Sequence, residues 1–194
     1  MELQSAESAF RAIWVAPSII LSLGITRLCS DTVSLIRSRR RVRMDWVPLI
    51  WAACIFIWQI QYLWAIVELP SLIRTWTLPE FTVLLSLSLA LFFAAALVLP
   101  DQELESGARL EDNFILHGRW ALIALSAWGF LAVLVDLWMF SDSLLSQGTV
   151  LMIIVASVPL LFLAAKSRRT RVGITVVNLV LTLWAAWIQS PKAY

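Results

Sequence analysis

The stretch "PEFTVLLSLSLALFFAAALVL", residues 79–99, decides the fold class of this chain. Its one charged residue, Glu80, stands at the start. The hydrocarbon core of a bilayer is about 30 Å thick, and a helix that crosses it needs roughly 20 apolar residues. The stretch therefore predicts a transmembrane helix.

Five similar stretches lie on either side of this one. Together they predict six spans, at about residues 9–29, 46–68, 79–99, 119–139, 148–165 and 172–190. Only 14% of the 194 residues are charged, whereas soluble domains carry about 25%. We expect a single domain over residues 1–194, an all-α polytopic transmembrane bundle of about six helices.

The first span is the weakest of the six, because Arg11 and Arg27 bracket only 15 residues. Long arginine side chains at the ends of a span can reach outward to the headgroups. No Asp, Glu, Lys or Arg falls in the middle third of any of the six stretches. Proton pumps, voltage sensors and ion-coupled transporters usually place a charge there, so the pattern does not favour these classes.

Basic residues are divided unequally between the two sides of the predicted bundle. The segments after spans one, three and five, together with the span ends that border them, hold twelve of the fifteen Lys and Arg residues, and the opposite side holds only Arg11, Arg74 and Lys192. Cytoplasmic loops carry the excess of Lys and Arg in membrane proteins. We therefore expect both termini to lie on the side opposite the cytoplasm.

The basic segments also suggest contact with anionic lipid, which clusters of four to eight basic residues beside a span attract. The expected contacts are Arg37, Arg39, Arg40, Arg41, Arg43, Arg168 and Arg169. In the plainer alternative, these arginines only set the topology. No nucleic-acid motif or set of stacking aromatics accompanies them, so we do not expect a nucleic-acid partner.

The connection between spans three and four is the longest of those on the basic side. Leu110, Phe114 and Ile115 recur in it at helical spacing, which predicts a short interfacial helix. Asp112 and His117 form a candidate cytoplasmic site, with a solvated or helix-capping His117 as the alternative. The sequence holds no metal-ligand spacing, phosphate loop or nucleophile motif, and we expect no catalytic residue, metal or cofactor.

A second candidate site comes from polar residues near the side opposite the basic loops. Counting 1.5 Å per residue puts Glu68 and Asp136 in the outer third of their spans, with Arg74 nearby. Gln61 shares a helix face with Glu68, while Gln59 points about 200° away from Gln61 around the helix. The four residues Gln61, Glu68, Arg74 and Asp136 form a candidate polar site. In the alternative, Gln61 bonds a neighbouring helix, and the two acids reach water at the span ends.

Small residues predict where spans approach one another. Ser86, Ala90 and Ala94 repeat at every fourth position on the third span, a pattern typical of close helix packing. We expect this stripe to support a homo-oligomer or assembly into a larger membrane complex. The tryptophans deep in the spans, Trp51, Trp58, Trp64 and Trp128, are expected to pack in the bundle.

Two quoted segments carry a resemblance. The pair "QYLWAIVELPSLIRTWTLPEF" and "LFFAAALVLPDQELESGARLEDNFILHGRW" resembles a broad group of small bacterial six-span integral inner-membrane proteins of unassigned function. The shared features are a Trp-rich second span, an "LxLP" end to the third span and an acidic segment before the fourth. The resemblance implies a bacterial inner membrane, with both termini then periplasmic, and transfers no site or activity.

Three functions fit these observations. The leading one is a non-enzymatic bundle that acts as a small channel, carrier or accessory subunit, since buried charge is scarce. The second is a lipid-binding protein or enzyme at the cytoplasmic headgroup layer, which would use Asp112, His117 and the basic loops. The third is a scaffold subunit of a larger membrane complex.

Overall fold

The computed structural model describes residues 2–40, 42–72, 77–100, 109–139 and 146–189, and the side chains of these residues except 2–13, 68, 70–72, 139 and 189. The described residues form seven α-helices. Their bounds are α1 Glu2–Ser38, α2 Trp46–Leu72, α3 Leu78–Val98, α4 Leu110–Leu116, α5 Arg119–Met139, α6 Gln147–Ala164 and α7 Arg168–Gln189.

Six of these helices are long and apolar enough to cross a membrane, which confirms the predicted bundle. The spans formed by α2, α3, α5, α6 and α7 begin and end within a few residues of the predicted positions. The short helix α4 lies between the third and fourth spans, as predicted. The protein is therefore a multi-pass helical bundle with the composition of an integral membrane protein.

The first span differs from its prediction. Helix α1 is continuous from Glu2 to Ser38, so it continues nine residues past the predicted end of the span at residue 29. Arg27, predicted to lie at a span end, is therefore inside a longer apolar helix. Arg27 Nε donates a hydrogen bond to Asp31 Oδ2 at 3.0 Å, one helical turn further on. Because the two opposite charges pair along one helix face, the helix can continue through them.

The six long helices form a closed ring in the order α1, α3, α5, α6, α7 and α2, and α2 also contacts α3. The end of the ring with α4 and the α1–α2 and α6–α7 connections is called the basic end here. The opposite end, where α1 starts and α7 ends, is the terminal end. Large apolar side chains such as Leu134 and Trp187 stay exposed on the ring, as expected where helices face lipid.

The contact between α5 and α6 depends on a glycine. A Cβ atom added at Gly129 of α5 would lie 2.7 Å from Ala156 Cβ and 3.2 Å from Ala156 Cα on α6. Ordinary contacts between carbon atoms are about 3.5–4.0 Å. Gly129 therefore lets the two helix backbones approach more closely than any larger residue would allow.

The predicted stripe of small residues on α3 is divided between the interior and the surface. Ala94 is buried in the bundle and Ala90 is half-buried. Ser86 is exposed, and its hydroxyl donates to the Thr82 carbonyl at 2.7 Å. Self-association through this stripe stays a prediction, and only its Ser86 end is open to a second copy.

Helix α4 closes the basic end by packing on protein. Leu110 and Phe114 are buried, and the Phe114 ring meets Phe162 of α6 edge-on with 5.7 Å between centroids. The Leu110 backbone N–H donates to the Arg43 carbonyl at 3.2 Å. Two of the three apolar side chains that predicted an interfacial helix are thus covered by the bundle, and only Ile115 remains exposed.

Candidate functional site

A cavity of about 710 Å³ lies inside the ring at the terminal end. Its wall is formed by the last turns of α2 and α5, the first turns of α3 and α6, and Ala186 near the end of α7. Ile60 and Trp64 line it and are about half exposed. Ligand pockets are commonly about 300–1,000 Å³. The volume therefore suits a small organic molecule.

Two of the four residues of the predicted polar site line this cavity. Gln61 of α2 and Asp136 of α5 come from different helices and face the same space. The Glu68 side chain and Arg74 lie outside the described residues. Gln59 is fully buried on the other side of α2, where a Cβ added at Gly24 of α1 would overlap its Nε2. The predicted separation of Gln59 from Gln61 matches this arrangement.

Aromatic rings form much of the cavity wall. Trp58, Tyr62 and Trp64 of α2 and Trp128 of α5 all line it. The Trp58 and Trp128 centroids are 5.2 Å apart, and Tyr62 meets Trp128 edge-on at 6.2 Å. The Tyr62 hydroxyl donates to the Leu84 carbonyl of α3 at 2.9 Å, which fixes this ring. Packing of these tryptophans inside the bundle was predicted from the sequence. That three of them also line a cavity was not.

Several polar atoms at the cavity are buried without a partner. Trp58 Nε1, Trp128 Nε1 and Gln61 Oε1 have no hydrogen-bond partner among the described residues. Burying an unsatisfied polar atom costs about 1–3 kcal/mol, and because these three atoms are covered, a ligand would reach one of them only after its side chain turned towards the cavity. Asp136 already takes part in an interaction within the chain. A carboxylate has about four lone-pair sites, so one interaction leaves it able to accept further hydrogen bonds.

A polar seam leads from the cavity towards the basic end, between α2 and α7. Its members on α7 are Thr175, Asn178 and Thr182, which follow each other at helical spacing and continue to Ala186 in the cavity wall. Trp51 Nε1 donates to Thr175 Oγ1 at 3.1 Å. Asn178 and Thr182 face the buried Cys54 thiol of α2, and Asn178 Nδ2 and Thr182 Oγ1 have no closer hydrogen-bond partner in the described part of the chain. The sequence did not predict this seam, because threonine in an apolar helix carries little signal.

The basic end holds a three-residue ion network. Arg168 donates to Asp45 at 2.8 Å and forms an ion pair with Glu111 at 3.1 Å. Asp45 Oδ1 also accepts from the Val47 backbone N–H at 2.9 Å, at the start of α2. The network joins α4 and α7 to the connection before α2. Arg168, predicted to contact lipid, is thus paired with two protein carboxylates, although 65% of its side chain remains exposed.

The other basic-end candidates remain separate side chains at the surface. Asp112 is exposed on α4, and His117 is exposed at its C-cap, where its backbone N–H donates to the Asn113 carbonyl. The described residues contain no group of three or more potential metal ligands. Among the predicted lipid contacts, Arg41 lies outside the described residues. The exposed ones are Arg37, Arg39, Arg40, Arg43 and Arg169.

No protein-family model, curated protein or solved structure matches this chain.

Proposed function

We propose that this protein is a non-enzymatic integral membrane protein that binds a small organic molecule in the terminal-end cavity and acts as a carrier. The observation that carries the proposal is the cavity of about 710 Å³ that brings Gln61 and Asp136 together among aromatic rings. A mostly apolar pocket with a few converging polar groups is the usual form of a small-molecule site.

The chemistry of the wall supports binding over catalysis. The described lining residues supply one carboxylate, one amide, one phenol and the indole N–H groups. Covalent catalysis needs a nucleophile held against a base, and general acid–base catalysis needs a positioned proton donor or acceptor pair. The described lining provides neither pair, so its polar groups are better suited to recognition.

The one-sided form of the cavity supports a carrier over an open channel. The cavity occupies the terminal end, whereas the seam beneath it is packed, with Thr175, Asn178 and Thr182 all at most 1% exposed. Carriers expose a central site to one side at a time by moving groups of helices against each other. In this proposal the structure represents the state open at the terminal end, and the seam is the path that opens in the other state.

Anionic lipid is proposed as a partner at the basic end. Arg37, Arg39, Arg40 and Arg43 are exposed at the end of α1 and in the connection that follows it. Each basic residue close to an anionic surface contributes about 1 kcal/mol of attraction. This contact would hold the basic end at the headgroup layer while the cavity faces the other side.

A variant in which a larger side chain fills the cavity tests the proposal. The probe is uncharged 2-(1-naphthyl)ethanol, and the measurement is thermal unfolding of the protein in lipid nanodiscs. A ligand that binds only the folded state raises the unfolding temperature. Ala132→Trp fills the cavity, and Ala127→Trp adds the same side chain to the exposed face of the same helix.

We expect the probe to stabilise the wild type and Ala127→Trp but not Ala132→Trp. An equal shift in all three proteins, or no shift in any, would contradict binding in the cavity. Saturable uptake of the probe into proteoliposomes separates a carrier from an accessory subunit that only binds.

A further inference from the structure

We infer that the cavity selects amphiphilic organic cations, namely protonated amines attached to an aromatic or other apolar body. This inference rests on the proposed function and adds the chemical class of the ligand. It depends on the charge, the hydrogen-bond acceptors and the aromatic surface that meet in the cavity.

The charge of the wall favours a cation. Asp136 carries the only formal charge among the described residues that line the cavity. Because the neighbouring surface is apolar, water screens this carboxylate less than it would screen one at an open surface. A ligand cation would be attracted, and a ligand carboxylate would meet a charge of its own sign.

The free polar atoms of the wall favour a hydrogen-bond donor on the ligand. Gln61 Oε1 is a buried acceptor with no partner in the described part of the chain. An ammonium group has up to three N–H donors. It would bond an Asp136 oxygen and would reach Gln61 Oε1, which is covered, once the Gln61 side chain turned towards the cavity.

The aromatic wall suits the rest of such a ligand. Trp58, Tyr62, Trp64 and Trp128 present ring surface to the same space as Asp136. A cation within about 6 Å of an aromatic ring centre is attracted by the ring face, most strongly by tryptophan. The rings also cover an apolar body by stacking or edge contacts. The ammonium group and the apolar part of an amphiphilic amine would therefore each contact a complementary surface.

The test compares three compounds of nearly equal shape that differ in charge. They are 2-(1-naphthyl)ethylamine, which is protonated at pH 7, the uncharged 2-(1-naphthyl)ethanol and the anion 1-naphthylacetate. Binding is measured by equilibrium dialysis against nanodiscs that contain the protein, with empty nanodiscs of the same lipid as the blank. We expect the ammonium compound to bind at least about tenfold more tightly than the alcohol, since its bond to Asp136 is charge-assisted.

Two variants assign the selectivity to the carboxylate. Asp136→Asn should weaken binding of the ammonium compound about tenfold and leave the alcohol within about twofold. Glu80→Gln is the matched control, because it removes a carboxylate at the same end of the bundle and outside the cavity wall. Its side chain keeps an oxygen that can accept from the Thr77 backbone N–H, as Glu80 does at 2.7 Å.

The possible binding results distinguish failure of this inference from failure of the proposed function. Equal binding of the three compounds, abolished by Ala132→Trp, would overturn the inference and leave the cavity as a binding site. Preferential binding of 1-naphthylacetate would do the same. Failure of all three compounds to bind would overturn both. The comparison of compounds on the wild type decides the inference even if Asp136→Asn does not fold.

Discussion

Gly129 lies where α5 passes α6, and a methyl group added there would have no free space. The added Cβ would stand 2.7 Å from Ala156 Cβ and 3.2 Å from Ala156 Cα. The second of these atoms belongs to the backbone of α6, so it cannot turn aside as a flexible side chain could. Gly129→Ala must therefore push α5 and α6 apart by roughly 1 Å, given an ordinary carbon contact of about 3.5–4.0 Å.

The free energy lost by overpacking can be compared with the free energy gained because alanine favours a helix more than glycine does. Overpacking a well-packed interior costs about 1–3 kcal/mol. Alanine is favoured over glycine within a helix by at most about 1 kcal/mol. We expect Gly129→Ala to lower the free energy of unfolding by about 1–2 kcal/mol. Gly173→Ala on α7 is the control, because no atom lies within 4 Å of its added Cβ, and it should be neutral or slightly stabilising.

Unfolding of the purified protein in mixed detergent micelles, followed by tryptophan fluorescence, measures the difference. The double variant Gly129→Ala with Ala156→Gly removes the nearest contacting atom and should recover part of the lost stability, which a double-mutant cycle quantifies. If Gly129→Ala is as stable as Gly173→Ala, the close approach of α5 and α6 is wrong. The ring order around the cavity would then need revision.

Three further predictions concern the basic end, the polar seam and the topology. Phe114→Ala should cost about 3–5 kcal/mol in unfolding experiments because the ring is buried against Phe162; a change below about 1 kcal/mol would mean that α4 does not pack on the bundle. Thr175→Val nearly keeps the side-chain shape but leaves the buried Trp51 Nε1 without its acceptor, so it should cost about 1–3 kcal/mol, and unchanged stability would contradict the packing of α2 on α7 at the seam. Alkaline phosphatase fused after Tyr194 should be active in the periplasm of a bacterial host. Fluorescence of a GFP fusion at the same position would instead show a cytoplasmic C-terminus and contradict the predicted orientation.

The spans could be predicted because their ends carry local signals. Helix α5 has the predicted limits, Arg119 and Met139, since a basic residue precedes its apolar run and polar residues follow. Helix α1 could not be delimited in this way. The sequence places Asp31 four residues after Arg27, a spacing that allows the two to pair along a helix, but Arg27 was interpreted by itself as the end of the span. In the structure the two side chains pair and the helix continues to Ser38.

The candidate site could be predicted only in part, for a different reason. The rise per residue placed Asp136 near a span end, and the helical angle separated Gln61 from Gln59. Which helices enclose those residues depends on the ring order, which is set by contacts far apart in the chain. A buried tryptophan and a tryptophan in a cavity wall also have the same sequence pattern, so Trp58 and Trp128 gave no sign of the cavity.

The central claim is that a cavity lined by Asp136 is open at the terminal end of the bundle. Thiol labelling tests it directly in a variant without Cys29 and Cys54, the two native cysteines. Ala132→Cys places a thiol in the cavity wall, and Ala121→Cys places one on the same helix at a fully buried position near the basic end.

A membrane-impermeant maleimide added to the side of the membrane at which the termini lie should label Ala132→Cys and leave Ala121→Cys unmodified. Excess 2-(1-naphthyl)ethylamine should slow the labelling of Ala132→Cys by occupying the cavity. Labelling of Ala132→Cys only from the side of the basic end, or only after denaturation, would contradict a cavity open at the terminal end.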